Sequence, residues 1–258
     1  MQYSTIAVTE SEGVGTITLN RPTLMNALNA QMRAEILQAL RDLQTRARVL
    51  VLTGAGRAFC SGQDLGDGAS VDDLDLGRIL REEYEPMLRA INECPLPVIA
   101  AVNGAAAGAG ANLALAADVV IATQSAVFLQ AFSRIGLIPD AGGTYWLPRQ
   151  IGFARAMGQA LFAEKVTADE AAAMGMIWAS VPDEAFPAEW QRRATQLAKG
   201  PTLAYGAIKR AMRDSMANTL DQQLDLEAEL QGECGHSRDF REGVMAFLEK
   251  RTPRFEGR

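Results

Sequence analysis

The chain has 258 residues, 48% hydrophobic and 22% charged, the balance of a folded protein with a large core. A formal net charge of −6, with no dense Lys/Arg stripe, argues against nucleic acid as the main partner. Cys60, Cys94 and Cys234 are scattered without CxxC spacing and His236 is the single histidine, which argues against a disulfide framework, a zinc centre and a Ser-His-Asp triad and points to a reducing cytoplasm.

The opening MQYSTIAVTE has neither a basic start nor an apolar signal core, and no apolar run is long enough to span a membrane. Tyr3 to Val8 and Val14 to Leu19 alternate around Glu12-Gly13, which predicts a hairpin. Asn20-Arg21-Pro22 breaks that pattern. From Asn26 to about Thr45 the apolar residues Leu28, Met32, Ile36, Leu40 and Leu43 follow helical spacing. Val49 to Thr53 reads as a buried strand and Gly54 to Leu65 as a loop. The acidic, Gly-containing stretch 66–77 predicts an exposed, mobile loop. A helix follows over about Leu76 to Glu93.

Val98 to Val102 predicts a strand that ends in an Ala/Gly turn, then a helix over Ala109 to Ala117. Strands follow at Asp118–Ala122 and Ala126–Leu129. Beyond a loop at Ile138 to Thr144 come helices at Thr144–Ile151, Phe153–Phe162 and Ala168–Met174, and a last strand at Met176–Val181. The rest reads as helical: Ala185–Lys199, Thr202–Met216, Leu220–Cys234 and Asp239–Lys250. The fold class is therefore α/β, with strands and helical crossovers over residues 1–195 and a helical region over 196–258.

Two stretches carry chemistry. Gly104 to Gly110 leads from a strand into a helix, and Cys60 to Leu65 also follows a strand. Small residues there leave room for backbone N–H groups to meet a negative oxygen, although small residues serve close packing equally well. The spacing is not GxGxxG, Thr53-Gly54-Ala55-Gly56-Arg57 lacks the GK[ST] end of a P-loop, and Ser61 lacks a GxSxG frame. Asp140, among Phe132, Ile135, Leu137, Ile138 and Pro139, is a carboxylate in apolar company, suited to moving a proton or to capping a turn.

At these residues the sequence resembles the crotonase, or enoyl-CoA hydratase/isomerase, superfamily. The matching pieces are Leu19 to Pro22 with Asn26 to Leu28, Leu52 to Leu65, Pro97 to Asp118, and Ile135 to Thr144, in family order over nearly the whole chain. The resemblance implies a crotonase-like ββα spiral core with a helical C-terminal trimerisation region. It implies an acyl-CoA thioester substrate, no separate cofactor, and a homotrimer or dimer of trimers. The thioester oxyanion would be held by the backbone N–H groups of Gln63 and Ala109. Arg21, Cys60, Ser61, Gly62, Asp64, Leu65, Gly108, Asn112, Phe132, Phe247 and Lys250 are the implied substrate and CoA contacts, the last two reaching the site from a neighbouring subunit.

Departures from the family pattern sharpen the expected reaction. Its hydratases add water with two Glu residues, which would fall at Asn112 and Phe132; neither is a carboxylate here. The carboxylate stands at Asp140, a placement similar to the family's isomerases, among them those that act on ring-1,2-epoxyphenylacetyl-CoA. The resemblance therefore implies an isomerase with Asp140 as the catalytic acid/base, shifting a 3-enoyl-CoA double bond, forming oxepin-CoA, or both. A hydratase or other crotonase-type reaction and a non-catalytic CoA-ester binding protein are the alternatives.

Overall fold

The structure, a computed structural model, describes residues 3–66 and 75–258. Glu12 and Gly13 both take positive φ, 51° and 79°, and make the tight turn between β1 (Ile6–Ser11) and β2 (Val14–Leu19). From β2 onward the six-stranded sheet is parallel, through β3 (Val49–Gly54), β5 (Val98–Val102), β7 (Val119–Thr123) and β10 (Ala179–Val181). Four three-residue strands form a second sheet: β4 (Ala58–Cys60), β6 (Ala105–Ala107), β8 (Val127–Leu129) and β9 (Lys165–Thr167). The chain steps from the first sheet to the second three times, β3 to β4, β5 to β6 and β7 to β8, before entering helical structure. This is the ββα spiral that the resemblance implied.

Helix α1 (Ala30–Leu43) starts at Asn29, whose side chain accepts the Met32 N–H at 2.9 Å. The helix expected over 76–93 is α2 (Leu76–Ile79), a π-helical stretch at Leu80–Tyr84, and α3 (Glu85–Asn92). Then come α4 (Ala109–Leu115), α5 (Gly143–Ile151), α6 (Phe153–Phe162), α7 (Ala168–Ala173) and α8 (Phe186–Ala198). The central parallel strands β3, β5 and β7 are buried on both faces. Leu50 and Leu52 of β3 face the large core with α1, whereas Val49 and Val51 face Phe186, Ala194 and Ala198 of α8.

Several sequence expectations are corrected. Residues 58–60 and 105–107, read as loop and turn, are strands, and β9 was not foreseen. Three-residue strands have no room for an alternating pattern, and Ala105–Ala107 lacks the β-branched residues that would mark one. The strand expected over 176–181 forms only at 179–181. Of the acidic loop 66–77, residues 67–74 lie outside the described residues. The division expected at 195 falls inside α8.

The C-terminal helices are α9 (Thr202–Asp214), α10 (Leu220–Gly235) and α11 (Arg238–Glu249). Asp118 accepts from Lys209 at 2.7 Å and Arg213 at 2.6 Å, which fixes α9 to the head of β7. Arg48 donates to Gly200 O, Thr202 Oγ1 and Phe255 O, and buried Asp239 accepts the Glu256 and Gly257 N–H groups, so the tail is tied down. Ile208, Met212, Leu220, Phe247 and Leu248 nonetheless remain exposed along these helices. His236 sits exposed where α10 ends, its Nδ1 2.6 Å from Gly232 O. No helix of the described residues is long and apolar enough to cross a membrane.

Candidate active site

A cavity of about 300 Å³ opens where β4 and β6 end and α4 begins. Its floor is Ser61, Gly62, Gln63, Gly108 and Ala109; Asp140 and Phe132 form one wall, and Ile79, Leu80 and Tyr84 the other. The two small-residue loops thus meet in one place. Gly110 is the reason. A Cβ there would lie 2.7 Å from both Cβ and Sγ of Cys60, so α4 seats directly on β4 only without one.

Peptide orientation turns this proximity into a donor pair. In a trans peptide the C=O and N–H point in opposite directions. Gly62 O accepts the Leu28 N–H at 2.8 Å, so the Gln63 N–H of the same peptide is aimed away from Leu28. Gly108 O accepts the Asn112 N–H at 3.2 Å, so the Ala109 N–H, at the first position of α4, projects backwards out of the helix. Gly62 and Gly108 both hold positive φ, 97° and 52°. A Cβ on Gly62 would lie 3.4 Å from Ala109 N, which shows how closely the two peptides adjoin. Neither N–H has a partner among the described residues.

Asp140 is presented by a strained turn. Ala141 and Gly142 follow it at φ 46° and 82°, and α5 begins immediately after. The Asp140 backbone O accepts from Gly143 N at 2.8 Å and from Asn112 Nδ2 at 2.7 Å. Its Oδ1 is buried without a partner among the described residues. Burial in these apolar walls pushes the carboxyl up to about 6, from 3.8. Glu35 shows the contrast: burial pushes it up too, but hydrogen bonds from Thr5, Ser4 and Gln31 outweigh that and hold it at about 2.

The remaining expected residues fall into place as follows. Phe132 lines the cavity, its ring over Gly108. Asn112 does not: it is fully buried, and its Oδ1 accepts from Gln130 at 2.8 Å while its Nδ2 holds the Asp140 carbonyl. It braces the Asp140 turn from behind the cavity lining. Cys60 is fully buried, and burial pushes its thiol to about 12, so it is a packing residue. Ser61 and Leu65 line the cavity. Arg21 and Asp64 pair with each other at 2.8 Å, and Arg21 also donates to Ala27 O, clamping the 60–65 loop to the segment before α1. Phe247, exposed on α11, and Lys250, just past its end, line no part of this chain's cavity. Tyr84, Arg33 and Arg134 were not foreseen. Tyr84 and Arg134 line the cavity, and buried Arg33 lies behind it, donating to Gln63 Oε1.

The folded Asp140 carboxyl binds its proton up to about pH 6, against 3.8 when unfolded, so stability from this group is full below 3.8 and falls as pH rises through 6. Asp140→Asn removes that dependence. Urea unfolding should find the variant more stable than the parent at about pH 8, by about 1–3 kcal/mol, with the gap closing below about pH 4. A variant that loses stability relative to the parent as pH rises would contradict the assigned burial.

Comparison with known proteins places the chain in a family. The enoyl-CoA hydratase/isomerase family model matches residues 9–258. A protein of Rhodobacter capsulatus described as a probable enoyl-CoA hydratase is 66% identical over 258 residues, covering all of both chains. The 1,2-epoxyphenylacetyl-CoA isomerase of Escherichia coli is 50% identical over 253 residues, 96% of each chain. The crystal structure of an enoyl-CoA hydratase from Bacillus anthracis superimposes with a TM-score of 0.93 at 32% identity, covering 99% of this chain and 100% of that one. The chain belongs to the enoyl-CoA hydratase/isomerase family, the crotonase superfamily, whose enzymes act on CoA thioesters.

Proposed function

We propose that this chain is an acyl-CoA isomerase with Asp140 as its one acid/base. It moves the double bond of a 3-enoyl-CoA to the 2-position, rearranges a ring-1,2-epoxyphenylacetyl-CoA to oxepin-CoA, or does both. One observation carries the reading: Asp140 is the only carboxylate among the described cavity residues, and it shares that cavity with the Gln63 and Ala109 N–H groups. Asn112 and Phe132 stand where the two hydration carboxylates would be expected, and neither can take a proton.

In the double-bond shift the thioester oxygen accepts from Gln63 and Ala109 N–H. Each such donor contributes about 3 kcal/mol as charge moves onto that oxygen. Asp140 takes a proton from the α-carbon and returns it at the γ-carbon on the same face, so one base suffices. A carboxyl near 6 is ionised at neutral pH yet basic enough to serve, and such a group supplies about 10²–10⁴-fold. The epoxide ring expansion needs little proton transfer, and there Asp140 polarises and positions. The 60–65 loop contacts CoA largely through backbone groups shaped by the Arg21–Asp64 clamp, and Phe247 and Lys250 contribute from a neighbouring subunit of a homotrimer. The name of the Rhodobacter relative favours a second reading, hydration with Asp140 activating water.

A panel of 3-enoyl, 2-enoyl and ring-epoxide CoA thioesters with product identification tests the assignment. We expect isomer products without oxygen from ¹⁸O-labelled water, and a rate that rises with pH through about 6. Asp140→Asn should lower the double-bond shift about 10²–10⁴-fold while keeping CoA-ester affinity. A near-parental rate in the variant, labelled oxygen in the product, or binding with no turnover would each overturn it. Light scattering should return the mass of a trimer or its multiple; a monomer at working concentration would refute the shared site.

A further inference from the structure

The Gln63 side chain is caught from two sides. Tyr84 OH donates to its Oε1 at 2.6 Å, and Arg33 Nη1 donates to the same oxygen at 2.9 Å. Arg33 is itself fixed. Its side chain is 2% exposed, it donates to Leu28 O at 2.7 Å and to Glu83 Oε2, and its guanidinium lies over the Tyr84 ring at 4.7 Å. Leu28 N–H in turn holds Gly62 O. The result is a closed ring of contacts, from Leu28 through Arg33 and Gln63 to Gly62 and back.

That ring surrounds one peptide, the Gly62–Gln63 unit whose N–H faces the cavity. Gly62 has no side chain to restrict it, so the unit's orientation is set by what holds its two ends. On one side that is the Leu28 N–H bond to Gly62 O; on the other it is the Asp64 N–H bond to Leu28 O at 3.1 Å together with the Gln63 side chain. The π-helical stretch Leu80–Tyr84 serves this arrangement: it supplies Glu83 to Arg33 while Leu80 and Tyr84 face the cavity. Burial pushes the Tyr84 phenol up, so it stays a neutral donor at working pH.

The geometry points to Tyr84 and Arg33 as positioning residues that aim the Gln63 N–H at the thioester oxygen. This rests on the proposed oxyanion role of that N–H. The donors act through Gln63 Oε1 and transfer no proton. An oxyanion donor is worth its full value only when it is held in place before charge develops. Loosening it should therefore cost turnover and spare ground-state binding.

Tyr84→Phe removes the hydroxyl and keeps the ring, and Gln63→Ala removes its acceptor. We expect each to lower kcat about 10-fold or more with KM within about twofold, and the double variant to be no worse than Gln63→Ala alone, since both break one contact. The thioester C=O stretch of a bound saturated acyl-CoA, read by infrared difference spectroscopy, should be shifted less in both variants than in the parent. A Tyr84→Phe enzyme with parental kcat and parental C=O stretch would overturn the proposal, as would multiplicative effects in the double variant. Should the parent turn over no enoyl or epoxide substrate, the isomerase reading fails by that result, while the C=O stretch still decides the positioning role. Should Tyr84→Phe fail to fold, Gln63→Ala with the same two readouts decides it.

Discussion

The seat of α4 on β4 is the contact on which the site depends. Gly110 sits so close to Cys60 that no Cβ fits between them. That approach puts the start of a helix beside the end of a strand from the preceding spiral turn. Two peptides, 62–63 and 108–109, then lie side by side with their carbonyls used elsewhere and their N–H groups left over. Strand pairing does the coarse alignment, Ala58 and Cys60 against Ala105 and Ala106. Small residues do the fine alignment, and Cys60 is part of that packing rather than a reactive thiol.

Against this donor pair the fold sets one desolvated carboxyl. Asp140 costs stability, because its charge is only partly solvated and its Oδ1 has no partner among the described residues. Such a cost is common where function needs a perturbed group. Asn112 turns the cost into geometry: its amide ties the Asp140 carbonyl to α4, the helix that also carries the Ala109 N–H. A Cβ on Gly143 would lie 2.8 Å from the Asn112 Cγ, so this tie needs a glycine at the start of α5 as well. The Ala109 N–H and the Asp140 turn are thus fastened to one short helix.

Much of this was legible in the chain. Elements with a clear apolar pattern, such as α1, β5 and α6, were read to within a few residues, because that pattern marks them. Asp140 was legible for its apolar neighbours, and the two Gly-bearing loops for their places after strands. The short strands β4, β6 and β9 were not, since they exist only through pairing within the second sheet, β4 with β6, β6 with β8 and β8 with β9. Tyr84 was hidden because Leu80, Tyr84, Met87 and Ile91 read as an ordinary apolar helix stripe. Arg33 offered a signal that went unread: a charge three residues before Ile36 and seven before Leu40 lies on the buried stripe of α1. The separate roles of Arg21 and Asp64, seen in the chain as two ligand contacts, merge into one clamp only when the loops fold together.

An apolar-walled cavity with one carboxyl among its described lining residues makes a demand on the fate of the proton. The most direct measurement follows a deuterium placed at the α-carbon of a 3-enoyl-CoA through a single turnover in ordinary water. With Asp140 alone carrying the proton, a substantial part of the label reappears at the γ-carbon of the 2-enoyl product. Complete loss of the label to solvent, with γ-hydrogen drawn only from water, would contradict the one-base account.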